Sequence, residues 1–343
     1  MPKVKWFVGD LTAGFCFEAV KKLGIRVASL WPASAACLAT MFNIHKLIEQ
    51  GLIGDHGWPE RDETLQLGPG MPPLQTSLMP WMDKTGVPIA HPSFFEVLSR
   101  INKFSDFAEV VVCNSSCEAE AGAFKLFPRV LPIGPLFADG ELRKPVGHFL
   151  PEDERRIKWL DARPDRSVVY VAFGIMAIFN PHQFEELAEG LELTGRPFLW
   201  VVRPDFTPGL DQAWLHEFRQ RVAGKGMIIS WCSQQQVLAH RAVACFVSHC
   251  GWNSTMERMR NGVPFLCWPY FCDQFLNRSY ITSDRPGRRA VAPDADGIIT
   301  REELRSKVEQ VVGDDEIRER ARLFKDAARR CISQGGSSYE NFE

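Results

Sequence analysis

The chain has 343 residues, 45% of them hydrophobic and 24% charged, with a formal net charge of −2. That length is enough for two domains with substantial cores, and the near-neutral balance gives no basic footprint for nucleic acid. The uncharged stretch Val27 to Ile44 is broken by Pro32 and several Ser, Thr and Asn residues, so it is a poor membrane span, which needs ~20 predominantly apolar residues.

In chain order, Lys3 to Val8 reads as a strand, Phe15 to Leu23 as a helix and Arg26 to Trp31 as a strand. Helices are expected at Ala35 to Gln50 and Pro92 to Ser105, and a strand at Ala108 to Asn114. Residues 137–166 are rich in charge, Gly and Pro and read as a linker ending in a short helix, Pro151 to Asp161. Ser167 to Phe173 opens a second series: helix Pro181 to Leu193, strand Phe198 to Arg203, helix Ala213 to Val222, strand Met227 to Trp231. Helices near Thr300 to Val312 and Asp315 to Arg330 close the chain. Alternating strands and helices argue α/β architecture with parallel, doubly wound sheets. The expected division is 1–136, an N-terminal domain; 137–166, the linker; and 167–343, a C-terminal domain. The N-terminus carries Asp10 and no long apolar core, so it does not read as a secretory leader. Ten scattered cysteines fit reduced thiols in a cytoplasmic protein. Cys113 with Cys117, and Cys245 with His249 and Cys250, lack a second ligand pair, so no metal site is expected.

The stretch from Trp231 to Gln274, 44 residues, is the most informative. Ala244 to Ser248 reads as a buried strand, followed by a turn at His249-Cys250-Gly251-Trp252. Asn253 and Ser254 are N-cap types, and Glu257 stands three residues beyond Ser254, a capping-box spacing. Asn261-Gly262 ends the helix with residues that tolerate the left-handed conformation, and Val263 to Trp268 is a second strand. This βαβ unit aims a helix N-terminus, with its free N–H groups and positive dipole end, beyond the strand's carboxyl edge. In open α/β sheets ligands bind in that crevice, and a diphosphate fits it. Taken singly, Trp231 reads as core, His249 as a turn histidine and Asp273 as a helix N-cap, and Trp268 and Phe265 stay core. Joint occurrence on one strand–turn–helix frame argues for a site.

That stretch resembles the plant secondary product glycosyltransferase box, and the chain resembles the plant family 1 UDP-glycosyltransferases. The resemblance implies a GT-B fold, two Rossmann-like domains facing a cleft, here with an incomplete N-terminal one. It implies transfer of glucose from UDP-glucose, with inversion and without cofactor or metal, to a small phenolic, flavonoid or terpenoid alcohol. By resemblance, Trp231 stacks on uracil, the Cys232 backbone bonds the base, and Gln234 and Glu257 meet the ribose. His249, Asn253 and Ser254 hold the diphosphate, and Gly251 belongs to the donor-binding set. Trp252, Asp273 and Gln274 grip the sugar, a terminal Gln going with glucose. Flat aromatics stack on bases, carboxylates accept from vicinal diols, and helix-start donors neutralise phosphate oxygens. A monomer is expected.

In the family an N-terminal His takes the acceptor's proton and an Asp orients it. FVGDLTAGF matches the strand ending in that Asp, so Asp10 is the catalytic candidate. None of the eight histidines matches the general base, because the chain reads as starting roughly a hundred residues into the family pattern and stopping short of its last helix. Phe173-Gly174-Ile175 stands where Phe-Gly-Ser is usual, and 283–289 (SDRPGRR) replaces an apolar passage. The alternative is therefore an impaired, truncated nucleotide-sugar-binding relative. A nicotinamide dehydrogenase is discarded, since Gly68-Pro69-Gly70 is followed by Met71-Pro72-Pro73, which cannot open the required helix.

Overall fold

The computed structural model describes residues 4–82, 91–136, 155–282 and 289–343. Residues 137–154 of the expected linker, with the first four residues of its expected helix Pro151 to Asp161, and most of 283–289 lie outside them. The first half runs β1 (Trp6–Asp10), α1 (Phe17–Lys22), β2 (Arg26–Trp31), α2 (Ala35–Phe42), α3 (Ile44–Glu49), the short β3 (Thr64–Leu65) and β4 (Leu74–Gln75), α4 (His91–Ser99), α5 (Ile101–Ser105), β5 (Val110–Cys113), α6 (Cys117–Leu126) and β6 (Val130–Pro132). The second half runs α7 (Arg155–Asp161), β7 (Val168–Ala172), α8 (Pro181–Leu193), β8 (Phe198–Val201), α9 (Gln212–Arg221), β9 (Gly226–Ile229), α10 (Gln234–Leu238), β10 (Val243–Ser248), α11 (Trp252–Asn261), β11 (Phe265–Cys267), α12 (Gln274–Thr282), α13 (Arg301–Gly313), α14 (Asp315–Ile332) and α15 (Ser337–Phe342).

Two parallel sheets result. The first has the order β1-β2-β5-β6 and the second β11-β10-β7-β8-β9. In the second sheet β7 and β10 are neighbours although two strand–helix units separate them in sequence. The chain reverses its winding direction there, so the crevice opens at the carboxyl ends of β7 and β10. β7 and β10 are buried along their whole length. Their apolar runs (VVYVA and VACFVS) are those of strands covered on both faces by helices.

Three expected helices differ in detail. The first begins as a 3-10 turn over Leu11–Cys16, capped by Asp10, whose side chain accepts from the Thr12 N–H. The expected Ala35 to Gln50 helix breaks at Asn43, whose Nδ2 donates to the Ala39 carbonyl at 2.8 Å. A side chain that bonds the backbone locally competes with the helix ladder. The Pro92 to Ser105 helix divides at Arg100 into α4 and α5.

The chain's end also differs from expectation. α15 returns to the first sheet: Ser338 Oγ donates to the Gly134 carbonyl at 2.7 Å and Asn341 Nδ2 to the Pro132 carbonyl at 2.9 Å. The expectation that the chain stops short of a returning helix is corrected. The capped amphipathic α14 carries it across, buried through Ile317, Ala321, Ala328 and Cys331.

Candidate functional site

The two sheets meet at their carboxyl ends. Asn114, just past β5, gives its carbonyl to the Trp252 indole N–H at 2.8 Å and its Nδ2 to Asn253 Oδ1 at 3.3 Å. Trp252 and Asn253 begin α11, directly after β10. The first turn of α11 therefore faces and touches the first domain.

The local start of α11 corrects the capping expectation. Gly251, not Asn253 or Ser254, is the N-cap, and no side chain caps the helix. Ser254 is instead buried in the first turn, where its Oγ accepts from Gln234 Nε2 at 2.9 Å. Glu257 does not reach back to Ser254's backbone. Its Oε2 accepts from Gln234 Nε2 at 2.6 Å and its Oε1 from Gln235 Nε2 at 3.3 Å. α10 is thus laced to α11, and burial pushes the Glu257 carboxyl up while the two amide donors hold it back. Tyr170 OH, from β7, donates to Gln234 Oε1 at 3.4 Å and lies 3.7 Å from the buried Cys232 Sγ. Trp231 is half-buried in the loop between β9 and α10.

His249 stands at the switch point. Its Nδ1 is 3.3 Å from Ser248 Oγ. Burial pulls its pKa down to about 4, opposed by a hydrogen bond to the Ala172 backbone and reinforced by Arg203. The imidazole is therefore neutral near pH 7, a donor and not a fixed cation. Two glycines cradle it: a Cβ on Gly174 would sit 2.8 Å from His249 Nε2, and one on Gly251 would collide with the same atom. Arg203 holds the facing loop by donating to the Gly174 and Ala177 carbonyls, the latter at 3.1 Å. Ile175 in that loop is 79% exposed, so no buried contact replaces the hydroxyl that a Ser would carry.

The loop after β11 completes the rim. Gln274 Oε1 accepts from the backbone N–H groups of Tyr270 (2.8 Å) and Phe271 (3.0 Å), which commits its oxygen and leaves Nε2. Asp273 Oδ2 accepts from Asn277 Nδ2 at 2.8 Å. Burial raises the Asp273 pKa to about 6 despite that bond. Asn277 Nδ2 also donates to the Cys250 carbonyl at 3.0 Å. Cys250 (φ 66) and Cys272 (φ 58) are two of the three described non-glycine residues in the left-handed region. Such strain persists only where the surroundings impose it. The sequence reading missed Asn277, a wholly buried amide that ties both strained turns together. Its signal was a polar residue on the apolar side of a helix.

Asp10 lies at the carboxyl end of the edge strand β1, exposed, with Oδ1 accepting from Thr12 N (2.8 Å) and Thr12 Oγ1 (2.7 Å). It caps the 3-10 turn that follows β1, the outermost strand of the first sheet's order. Trp252 is 5% exposed with its N–H committed to Asn114, so its indole belongs to the domain interface. Among the described residues no group of three or more His, Cys, Asp or Glu could hold a metal ion. No described helix is long and apolar enough to cross a membrane.

Two Rossmann-like sheets with their carboxyl edges facing a cleft, and an uncapped helix start at the switch point, define the GT-B class of nucleotide-sugar transferases. Residues 134–328 match the family model for UDP-glucoronosyl and UDP-glucosyl transferases. The chain is similar to UDP-glycosyltransferase 83A1 of Arabidopsis thaliana, 38% identical over 97% of this chain and 70% of that one. It is similar to 7-deoxyloganetin glucosyltransferase of Gardenia jasminoides, 31% identical over 100% of this chain and 74% of that one. Among solved structures, Phytolacca americana UGT2 with UDP-2-fluoro-glucose and pterostilbene superposes with a TM-score of 0.81 at 28% identity, covering 98% of this chain and 73% of that one. A Polygonum tinctorium UDP-glucosyltransferase capable of glucosylating indoxyl does so with a TM-score of 0.80 at 30% identity, covering 98% and 73%. The chain belongs to the plant UDP-glycosyltransferase family.

Proposed function

We propose that the chain transfers glucose from UDP-glucose to a hydroxyl of a small plant metabolite, with inversion. The observation that carries the reading is the β10–α11 junction. There an uncapped helix N-terminus, a neutral His249 and the Gly174–Gly251 cradle converge at the switch point, facing the first domain. An uncapped first turn presents N–H donors and a positive dipole end to an anion. In this reading Trp231 stacks on uracil beside the Cys232 backbone, and Gln234 and Glu257 meet the ribose through the lone pairs left on their side-chain oxygens, since the Gln234 Nε2 hydrogens already go to Ser254 and Glu257. His249, Gly251, Asn253 and Ser254 surround the diphosphate. The sugar falls to Asp273, to the remaining Nε2 of Gln274 and to the Trp252 backbone, since the Trp252 indole N–H is already used.

The acceptor oxygen attacks the anomeric carbon and UDP leaves with the electron pair of the broken C–O bond. On the acceptor side Asp10 is the carboxylate that takes, or orients the group that takes, the hydroxyl proton. Helix-start donors and His249 offset the charge growing on UDP, so the reading uses no metal. The relatives point to the acceptor class: one carries a terpenoid name, one a flavonoid glycoside, and one structure a stilbene. We place the protein in the cytoplasm as a monomer.

The test is a product assay with radiolabelled UDP-glucose and a panel of phenolic, flavonoid and terpenoid alcohols. Labelled glucoside is expected, and its loss in Asp10→Ala is expected too. UDP binding with no transfer to any acceptor would reduce the chain to a nucleotide-sugar-binding relative.

A further inference from the structure

Asn114 is committed through every polar group it has. Its backbone N–H donates to the Trp31 carbonyl at 3.0 Å and its own carbonyl accepts the Trp252 indole N–H at 2.8 Å. Its Oδ1 accepts the Leu136 N–H at 2.9 Å, and its Nδ2 donates to Asn253 Oδ1 at 3.3 Å. The surroundings leave it little freedom. Ser115 Oγ donates to the buried Glu120 at 2.6 Å, and Gly134 passes so close that a Cβ there would lie 2.7 Å from Asn114 Oδ1.

We propose that Asn114 is a positioning residue of the donor site: it sets which end of the Asn253 amide faces the diphosphate. The inference rests on the UDP-sugar reading above. A primary amide accepts at one end and donates at the other. The Leu136 N–H can only donate, so it takes the oxygen of Asn114. The NH2 of Asn114 is thereby turned to Asn253, which must answer with its oxygen. The NH2 of Asn253 makes no hydrogen bond among the described residues and sits exposed in the first turn of α11. The backbone of the first domain thus chooses, through two amides, that the second domain shows a phosphate two donor hydrogens and not an acceptor oxygen.

Calorimetric titration with UDP tests this on four substitutions. Asn114→Asp keeps the size and the Leu136 bond but opposes an oxygen to Asn253 Oδ1. Asn253 then flips and shows its own oxygen to the diphosphate. UDP affinity is expected to fall roughly ten- to hundredfold, the range of one hydrogen bond to a charged group. Asn114→Ala leaves Asn253 free to turn either way, and the expected loss is only about threefold, far less than one charged hydrogen bond. Asn114→Ser offers one hydroxyl that both accepts and donates, and should bind UDP more tightly than Asn114→Ala. A packing role alone would order these differently, since Asp is the closest replacement in shape. In an Asn253→Ala background, where no amide can flip, most of the extra cost of Asp over Ala at 114 should vanish. Equal losses for Asp and Ala would overturn the inference. So would an Asp penalty that survives intact in the Asn253→Ala background, which would be the field of the added charge. If Asn114→Asp fails to fold, the comparison of Ser with Ala decides, and Ala binding as tightly as Ser overturns the proposal. Unmutated protein that binds UDP with Asn253→Ala equally tight sinks this inference alone, whereas unmutated protein that binds no UDP sinks the reading beneath it as well.

Discussion

Replacing Gly251 by alanine should damage the donor site while sparing the fold. Gly251 has φ −57 and ψ 141, an ordinary extended backbone open to any residue, so alanine brings no backbone strain. The only obstacle is steric. A Cβ at this position would approach His249 Nε2 to under 3.0 Å, closer than real Cβ atoms come. The imidazole must swing away by an appreciable fraction of an ångström, or off its rotamer at a cost of ~0.5–1.5 kcal/mol. Gly174 also approaches the ring, near enough that a Cβ added there would lie 2.8 Å from the same nitrogen. The methyl also intrudes at the uncapped start of α11, where the N–H donors are. Losing one hydrogen bond to a charged ligand is worth ~1.5–3 kcal/mol, so UDP affinity should fall roughly ten- to hundredfold, with the melting temperature lowered by no more than the rotamer cost. Calorimetry with UDP and a thermal melt of each protein make the assay. Gly174→Ala is the contrast: at φ 66 it adds left-handed strain of roughly 1–2 kcal/mol, so it should lower the melting temperature too. The decisive comparison adds His249→Ala. If Gly251→Ala still costs its full affinity once the imidazole is gone, the route through His249 is refuted.

Trp231→Ala should weaken UDP binding about tenfold or more, since base–aromatic stacking is worth ~1–3 kcal/mol per base; unchanged calorimetric affinity would remove Trp231 from the uracil site. Glu120, 1% exposed, should not tolerate Gln. Its Oε2 accepts from Ala35 N and Ser115 Oγ and its Oε1 from Ala36 N, so an amide must turn NH2 toward a donor at one side, costing ~1–3 kcal/mol. Urea unfolding with an unshifted midpoint would contradict that count of acceptors. The pKa of His249 near 4, below its ordinary 6.5, makes the unfolded chain bind a proton that the folded chain refuses. Stability from this group is therefore present above pH 6.5 and is lost as pH falls toward 4, by ~2 kcal/mol at pH 5. Glu120 (about 7) and Asp273 (about 6) are raised and act with the opposite sign, losing stability as pH rises. They are shared with His249→Gln, so the difference between the two proteins in urea melts at pH 7.5 and pH 5 isolates His249. A difference that does not change with pH would show that the imidazole is not held neutral.

Much of the fold could be read locally. β2 and α8 occupy the spans that periodicity and capping assign, and Gly262, at φ 68, ends α11 as an Asn-Gly pair should. Such signals survive because they are chosen by neighbours a few residues away: an alternating or continuous apolar run, a Pro at a helix start, a left-handed glycine. The helix breaks at Asn43 and Arg100 escaped for the same reason in reverse. Nothing in the apolar pattern of Ala35 to Gln50 weakens at Asn43, and the break comes from one side chain bonding the carbonyl four residues back.

What the sequence by itself determined was the chemistry on offer: the box from Trp231 to Gln274, the strand–turn–helix frame and the family to which the chain belongs. What the tertiary structure decided was how those groups are spent. The Trp252 indole binds a carbonyl 138 positions away, Ser254 and Glu257 take hydrogen bonds from α10 in place of a capping box, and α15 closes on the first sheet more than 200 residues back. A side chain has few donors and acceptors, and each one used inside the protein is withdrawn from a ligand. Which are used depends on partners brought close only when both sheets have formed and faced each other, and no local pattern of residue types encodes that meeting.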